Sequence, residues 1–157
     1  MKTFQLQQLA ALRALREEKA VQQWAAQRYR REAAQHALGC AQQHAQHHGQ
    51  RLASHTEYCF GRFREGIAVG DWHTAQAQLA ALAEDQQQLE AQVLAAHQNL
   101  AFHRDEEAAL RRERVRRQRQ LEASEWLVGQ RLCEEQRQHT CREDDDASPT
   151  PLASVRP

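Results

Sequence analysis

Proline is nearly missing from this chain. Its three prolines stand at positions 149, 151 and 157, so no residue before them interrupts a helix by removing a backbone donor. Aromatic residues make up only 6%, and mean hydropathy is −0.87, which leaves little with which to fill a globular core. Lys2 and Lys19 are the only lysines; the rest of the positive charge is arginine, and the net charge is zero. Zero net charge excludes a globally basic nucleic-acid binder. No apolar run approaches the roughly 20 residues needed to cross a bilayer. The N-terminus is amphipathic and Gln-rich, without the apolar core of a signal peptide. The expectation is a cytoplasmic protein, peripheral to a membrane at most. Phosphate-binding loops, nucleophile elbows and paired-glycine fingerprints are all missing. Cys40, Cys59, Cys133 and Cys141 lack the spacing of a disulfide framework and are expected as reduced thiols.

Ala, Gln, Arg, Glu and Leu dominate, a composition of long helices. Glycines gather at one place, Gly61-Arg-Phe-Arg-Glu-Gly66-Ile-Ala-Val-Gly70. After this bend a heptad register runs without a slip. Its a positions are Trp72, Leu79, Gln86, Val93, Leu100, Glu107, Arg114, Leu121 and Val128. Its d positions are Ala75, Leu82, Leu89, Ala96, His103, Leu110, Arg117 and Ser124. A strict seven-residue repeat keeps one seam facing a partner helix. At about 1.5 Å per residue the arm would be roughly 85 Å long. Before the bend a weaker seam runs through Leu6, Ala10, Ala20, Trp24, Ala34, Leu38, Ala41, Ala45, Leu52 and Cys59. Arg13, Glu17, Gln27, Arg31, His48 and His55 interrupt it.

The bend lies near the middle of the helical region, so the arms can fold back on each other. The expected fold is all-α: two long helices forming an antiparallel coiled-coil hairpin over residues 1–141. Arm 1 would span about 3–62, the tip about 63–71 and arm 2 about 72–139. Trp24 would meet Leu110, and Leu52 would meet Leu82. Residues 142–157 hold Glu143-Asp144-Asp145-Asp146 and then Ser148-Pro149-Thr150-Pro151. They read as a disordered acidic tail.

A two-helix seam encloses no substrate pocket, which argues against an enzyme; no cofactor is expected. Four features remain. First, His36–Cys40, Cys40–His44, His44–His48 and His55–Cys59 are i,i+4 pairs on a helix face. Each supplies two ligands where structural zinc wants four, and the segment is compositionally rich in Gln, His and Ala, so no metal site is assigned. Second, Arg111, Arg112, Arg114, Arg116, Arg117 and Arg119 crowd nine residues, with no aromatic residue interleaved to stack bases. A charge layer, with Glu17 and Glu18 against Arg114 and Arg117, plus a protein-docking surface is preferred to a nucleic-acid site. Third, Phe60, Phe63, Ile67, Val69 and Trp72 concentrate apolar area at the tip, either as a docking site or as a local cap. Fourth, Phe4, Leu6, Leu9, Leu12 and Leu15 cover more than one stripe, and Arg13 and Arg16 lie among them. That excess points to a further partner at the end where the termini meet.

Length, heptad layout and the central FREGIAVGDW bend together resemble the stalk proteins of bacterial type III secretion, the injectisome YscO group and flagellar FliJ. The likeness covers Met1 to about Leu132. It implies a non-enzymatic stalk or adaptor, a virulence-associated part of protein transport. Such a stalk sits in the ring of the hexameric export ATPase, couples it to the export gate and handles secretion chaperones. On that reading the partners are an ATPase and a gate subunit, with no nucleic acid. The terminal end (Leu6, Leu9, Leu12, Arg13, Leu15, Arg16) would meet the ATPase, and the tip (Phe60, Phe63, Ile67, Val69, Trp72) would meet the gate. A generic coiled-coil scaffold or dimeriser, and a helical metal- or nucleic-acid-binding protein, are the alternatives.

Overall fold

The computed structural model describes residues 3–147, with side chains to residue 144. Two helices account for almost all of them: α1, Thr3–Glu65, and α2, Val69–Ala147. They pack antiparallel as a coiled-coil hairpin, and no strand occurs among the described residues. None of the helices is long and apolar enough to cross a membrane.

The link is shorter than the glycine cluster suggests. The tip expected over 63–71 contracts to residues 66–68, because Gly61 and Gly70 are absorbed into the helices. Gly66 alone takes a left-handed conformation, φ 87°, and its N–H donates to the Phe63 carbonyl at 3.2 Å. This closes the last turn of α1 as a glycine cap does. Arg62 and Arg64 sit in that last turn, and Asp71 sits in the first turn of α2. Each charge complements the macrodipole of its own helix end. The Trp72 N–H donates to the Ala68 carbonyl at 3.1 Å, which opens α2.

At the other end α2 outruns its expected bound. Arg142–Ala147 are helical, where a disordered tail was expected. The remainder of that tail, residues 148–157, lies outside the described residues.

The expected register of α2 holds throughout. Every a and d position from Trp72 to Val128 is at least half covered, and Glu113 is the one other covered residue in that span. In α1 the covered positions keep the three-four spacing from Leu6 to Cys59. They include the polar residues read as interruptions, so Arg13, Glu17, Gln27, Arg31, His48 and His55 belong to the seam.

The described residues divide into two compact units, 24–110 and 3–23 with 111–147. In the first, Ala34, Leu38 and Leu100 form the buried cluster, with Val93 and Ala96 packed against it. Polar layers flank that cluster and match polar with polar across the helices. Gln27 Nε2 lies 2.9 Å from His103 Nδ1 and donates to the His103 carbonyl at 3.4 Å. Arg31 Nε bridges to Glu107 Oε2 at 2.6 Å. His48 Nδ1 meets Gln86 Oε1 at 3.0 Å, and Gln86 Nε2 donates to Glu90 at 2.9 Å.

In the second unit the seam runs through Ala20 and Ser124, both buried. Arg13 donates to the Gln120 carbonyl at 2.8 Å and to Ser124 Oγ at 2.5 Å. Ser124 donates in turn to the same carbonyl at 2.8 Å. The expected layer of Glu17 and Glu18 against Arg114 and Arg117 does not form. Arg117 pairs with Glu113 on its own helix at 2.6 Å, Arg116 binds the same carboxylate, and Glu18 faces solvent. A carboxylate one turn away on the same helix needs no reach across the seam, so it takes the arginine first.

Candidate protein-docking surfaces

Large hydrophobic side chains are distributed in reverse. The buried apolar residues are Ala20, Ala34, Leu38, Cys59 and Leu100. All four phenylalanines, both tyrosines and Trp126 are exposed. Trp24 and Trp72 are only half covered. A seam two helices wide has no layer deep enough to bury an aromatic ring fully, so Trp24 and Trp72 are partly covered within it and the other rings lie outside.

The tip belongs to the unit of residues 24–110. Of its five expected residues, Ile67 and Trp72 are half covered and serve as the local cap. Phe60, Phe63 and Val69 are exposed, at 54%, 53% and 72%. Phe63 leans on Trp72 with ring centroids 4.8 Å apart and planes tilted by 45°. The capping reading therefore describes Ile67 and Trp72, while Phe60, Phe63 and Val69 are left on the surface. Tyr58, also exposed, hydrogen-bonds the Arg62 guanidinium; that bond first, with Asp71 and Glu65 nearby, pushes the arginine pKa upward. Beneath Tyr58 an open cleft of about 260 Å³ runs between His55, Cys59, Ile67 and Asp71.

The terminal residues belong to the other unit. Leu6 and Leu9 are half covered, while Leu12, Leu15 and Arg16 face solvent. Arg13 is committed to Ser124 and Gln120, so Arg16 is the exposed arginine of the expected pair. Apolar exposure is not confined to the ends, as the sequence reading expected. Tyr29, Leu94 and Phe102 stand out from the helices between them.

One residue was missed. Trp126, 63% exposed, repeats Arg112 and Arg119 at intervals of seven and so shares their outward row on α2. The sequence reading looked for an aromatic residue inside the arginine run, where none occurs. Carrying the heptad one step further along its outer position would have found this one. Past Val128, all side chains of α2 described, to Asp144, are exposed. The outermost contact with α1 is the hydrogen bond from Thr3 to Glu135.

The histidine and cysteine pairs stay pairs. Cys40 Sγ lies 3.7 Å from His36 Nδ1, and Cys59 Sγ lies 3.2 Å from His55 Nδ1. Among the described residues no third ligand converges on either pair, and all four cysteines are free thiols.

Comparison with known proteins gives no relative: no family model, no curated protein and no solved structure matches the chain.

Proposed function

We propose that the chain is a non-enzymatic, cytoplasmic stalk or adaptor of a bacterial type III secretion apparatus. It would engage the export ATPase ring through its terminal segment and the export gate through its tip. The observation that carries this reading is the exposed aromatic cluster at the turn of an antiparallel helical hairpin. A hairpin whose aromatic side chains face outward is organised to be held by other proteins. A seam one side chain deep encloses no substrate, and Gln27, Arg31 and His48 along it are engaged with His103, Glu107 and Gln86. Leu12, Leu15 and Arg16 provide the ATPase-facing surface, with Leu6 and Leu9 setting the angle of that segment. Phe60, Phe63 and Val69 provide the gate-facing surface, with Ile67 and Trp72 supporting it from below.

A pull-down with the purified export ATPase and the cytoplasmic part of the gate tests the reading. Phe60→Ala and Phe63→Ala should each weaken gate binding about thirtyfold, since an aromatic anchor is worth about 2 kcal/mol. Circular dichroism should stay unchanged, because neither ring fills the seam. Leu15→Ala with Arg16→Ala should instead lower stimulation of the ATPase. A wild-type chain that binds neither partner would leave a generic coiled-coil scaffold as the better account.

A further inference from the structure

We propose that α2 pairs with α2 of a second copy of this chain. The two would run antiparallel about a twofold axis near Gln130, joined by arginine–carboxylate pairs on either side of Trp126.

The outward stripe of α2 runs through Arg112, Arg116, Arg119, Ala123, Trp126 and Gln130, at steps of three and four. All six are exposed. No acidic residue occupies this stripe until Asp144, so for some eight turns it presents positive charge and one aromatic ring. The complement is in the same helix. Glu143, Asp144, Asp145 and Asp146 form the acidic run, and the basic and acidic runs lie at equal distances on either side of residues 129 and 130. Rotating a second copy about that point lays Arg116 beside Glu143 and Asp144. It also sets Arg119 beside Thr140 and Trp126 beside Cys133. Because the operation is twofold, each contact is made twice.

Two features of the isolated chain leave this surface unfinished. From Gly129 to Asp144 α2 has no covered side chain among the described residues, and its side-chain contacts there are thin, among them the Thr3 bond to Glu135 and the pair Arg131–Glu134. Its acidic end also meets the negative end of the helix macrodipole, and no basic residue stands in the last turn. Glu143 meets His139 of its own helix at 3.3 Å. The second copy's arginines would add positive charge at that end, and its side chains would cover the stretch beyond Val128.

A nucleic acid fits the stripe less well. Glu122, Glu125 and Glu134 lie on the rows beside it, well within a Debye length of about 10 Å. Trp126 is also a single stacking platform where a strand needs several. An acidic patch of discrete carboxylates, centred on an apolar contact, fits all three features.

Analytical ultracentrifugation of the full chain at low and high salt tests the proposal. The expected result is a dimer that weakens steeply with salt. The triple variant Arg112→Glu, Arg116→Glu, Arg119→Glu should be monomeric. Adding Glu143→Arg and Asp144→Arg should restore the dimer. Trp126→Ala should weaken it about tenfold or more. Gln130→Cys, with Cys133→Ser and Cys141→Ser, should oxidise to a disulfide-linked dimer. A wild-type chain that stays monomeric at low salt overturns the proposal, including one that binds an acidic peptide or an oligonucleotide in that state. A dimer indifferent to the triple reversal also overturns it.

Discussion

The layer formed by Gln27 and His103 offers the sharpest test of how this seam holds its alignment. Gln27 is only 5% exposed, yet it sits at a position where a coiled coil ordinarily places leucine. Truncation to alanine removes one buried methylene, at about 0.8 kcal/mol, along with the amide. It also removes a hydrogen bond with a net worth of about 1 kcal/mol. Alanine returns a few tenths through helix propensity. The expected loss for Gln27→Ala is therefore about 1.5 kcal/mol, read by urea unfolding followed at 222 nm. His103 is half covered and regains water when its partner is lost, so His103→Ala should cost less. A double-mutant cycle between the two isolates the contact, and its coupling should be about 0.5–1.5 kcal/mol. Gln27→Leu with His103→Leu should do the opposite: melting temperature rises, because two apolar side chains meet where two polar ones had to be desolvated. The pair would then no longer penalise other alignments, and a distance measured between spin labels at positions 24 and 110 should broaden. A coupling indistinguishable from zero, with an unchanged distance distribution in the double leucine variant, would refute the idea that polar matching sets the register.

Leu100 is 4% exposed and lies in the one buried apolar cluster, whereas Leu94 is 60% exposed. Leu100→Ala should cost about 2–3 kcal/mol, the low end for a core leucine because a two-helix seam can collapse around the gap. Leu94→Ala should stay within about 0.5 kcal/mol in the same urea titration. Arg117 and then Arg116 hold the Glu113 carboxylate below its ordinary range. That stabilisation is complete at neutral pH. It drains as the pH falls below the unfolded carboxylate pKa of about 4.3 and through the lowered folded value. Glu113→Gln should flatten this acid limb of the melting temperature against pH while leaving the rest of the curve in place.

The register of α2 was fully legible because it is a matter of spacing. A helix turns at a fixed rate, so a seven-residue repeat fixes which side chains are covered whatever their chemistry. The same reasoning was not carried through in α1, where Gln27, Arg31 and His48 were read as interruptions. They lie at covered positions, and each finds a polar partner at the matching position of α2. Glycine was read too strongly at the tip. Gly61 and Gly70 stay helical, since a single glycine costs about 1 kcal/mol and the surrounding turns carry it. Only Gly66 needs the backbone freedom that glycine gives. The acidic run after Arg142 was read as tail on composition, yet α2 continues to Ala147, and the first proline stands at 149. Charge partners were the least legible feature. Whether Arg117 meets Glu113 or Glu17 depends on side-chain reach, which a heptad string does not contain. The commitment of Arg13 to Ser124 is of the same kind.

The placement of the aromatic rings bears on stability as much as on binding. An aromatic side chain offers about 150–250 Å² of surface. In this chain most of that surface lies outside the seam, and the buried apolar positions hold alanine, cysteine and two leucines. Small side chains let two helices approach closely but bury little area, and polar layers add alignment at some cost in stability. A partner that covers Phe60 and Phe63, or a second copy that covers Trp126, would therefore remove from water side chains larger than most of those in the seam. By linkage, any such partner that binds the folded chain stabilises it in proportion to its concentration over its dissociation constant. The free hairpin is thus expected to be only modestly stable, with much of its working stability supplied by whatever holds it. Its outward rings and its matched polar seam would then have separate tasks: the seam sets how the two helices align, and the rings would set where another protein takes hold.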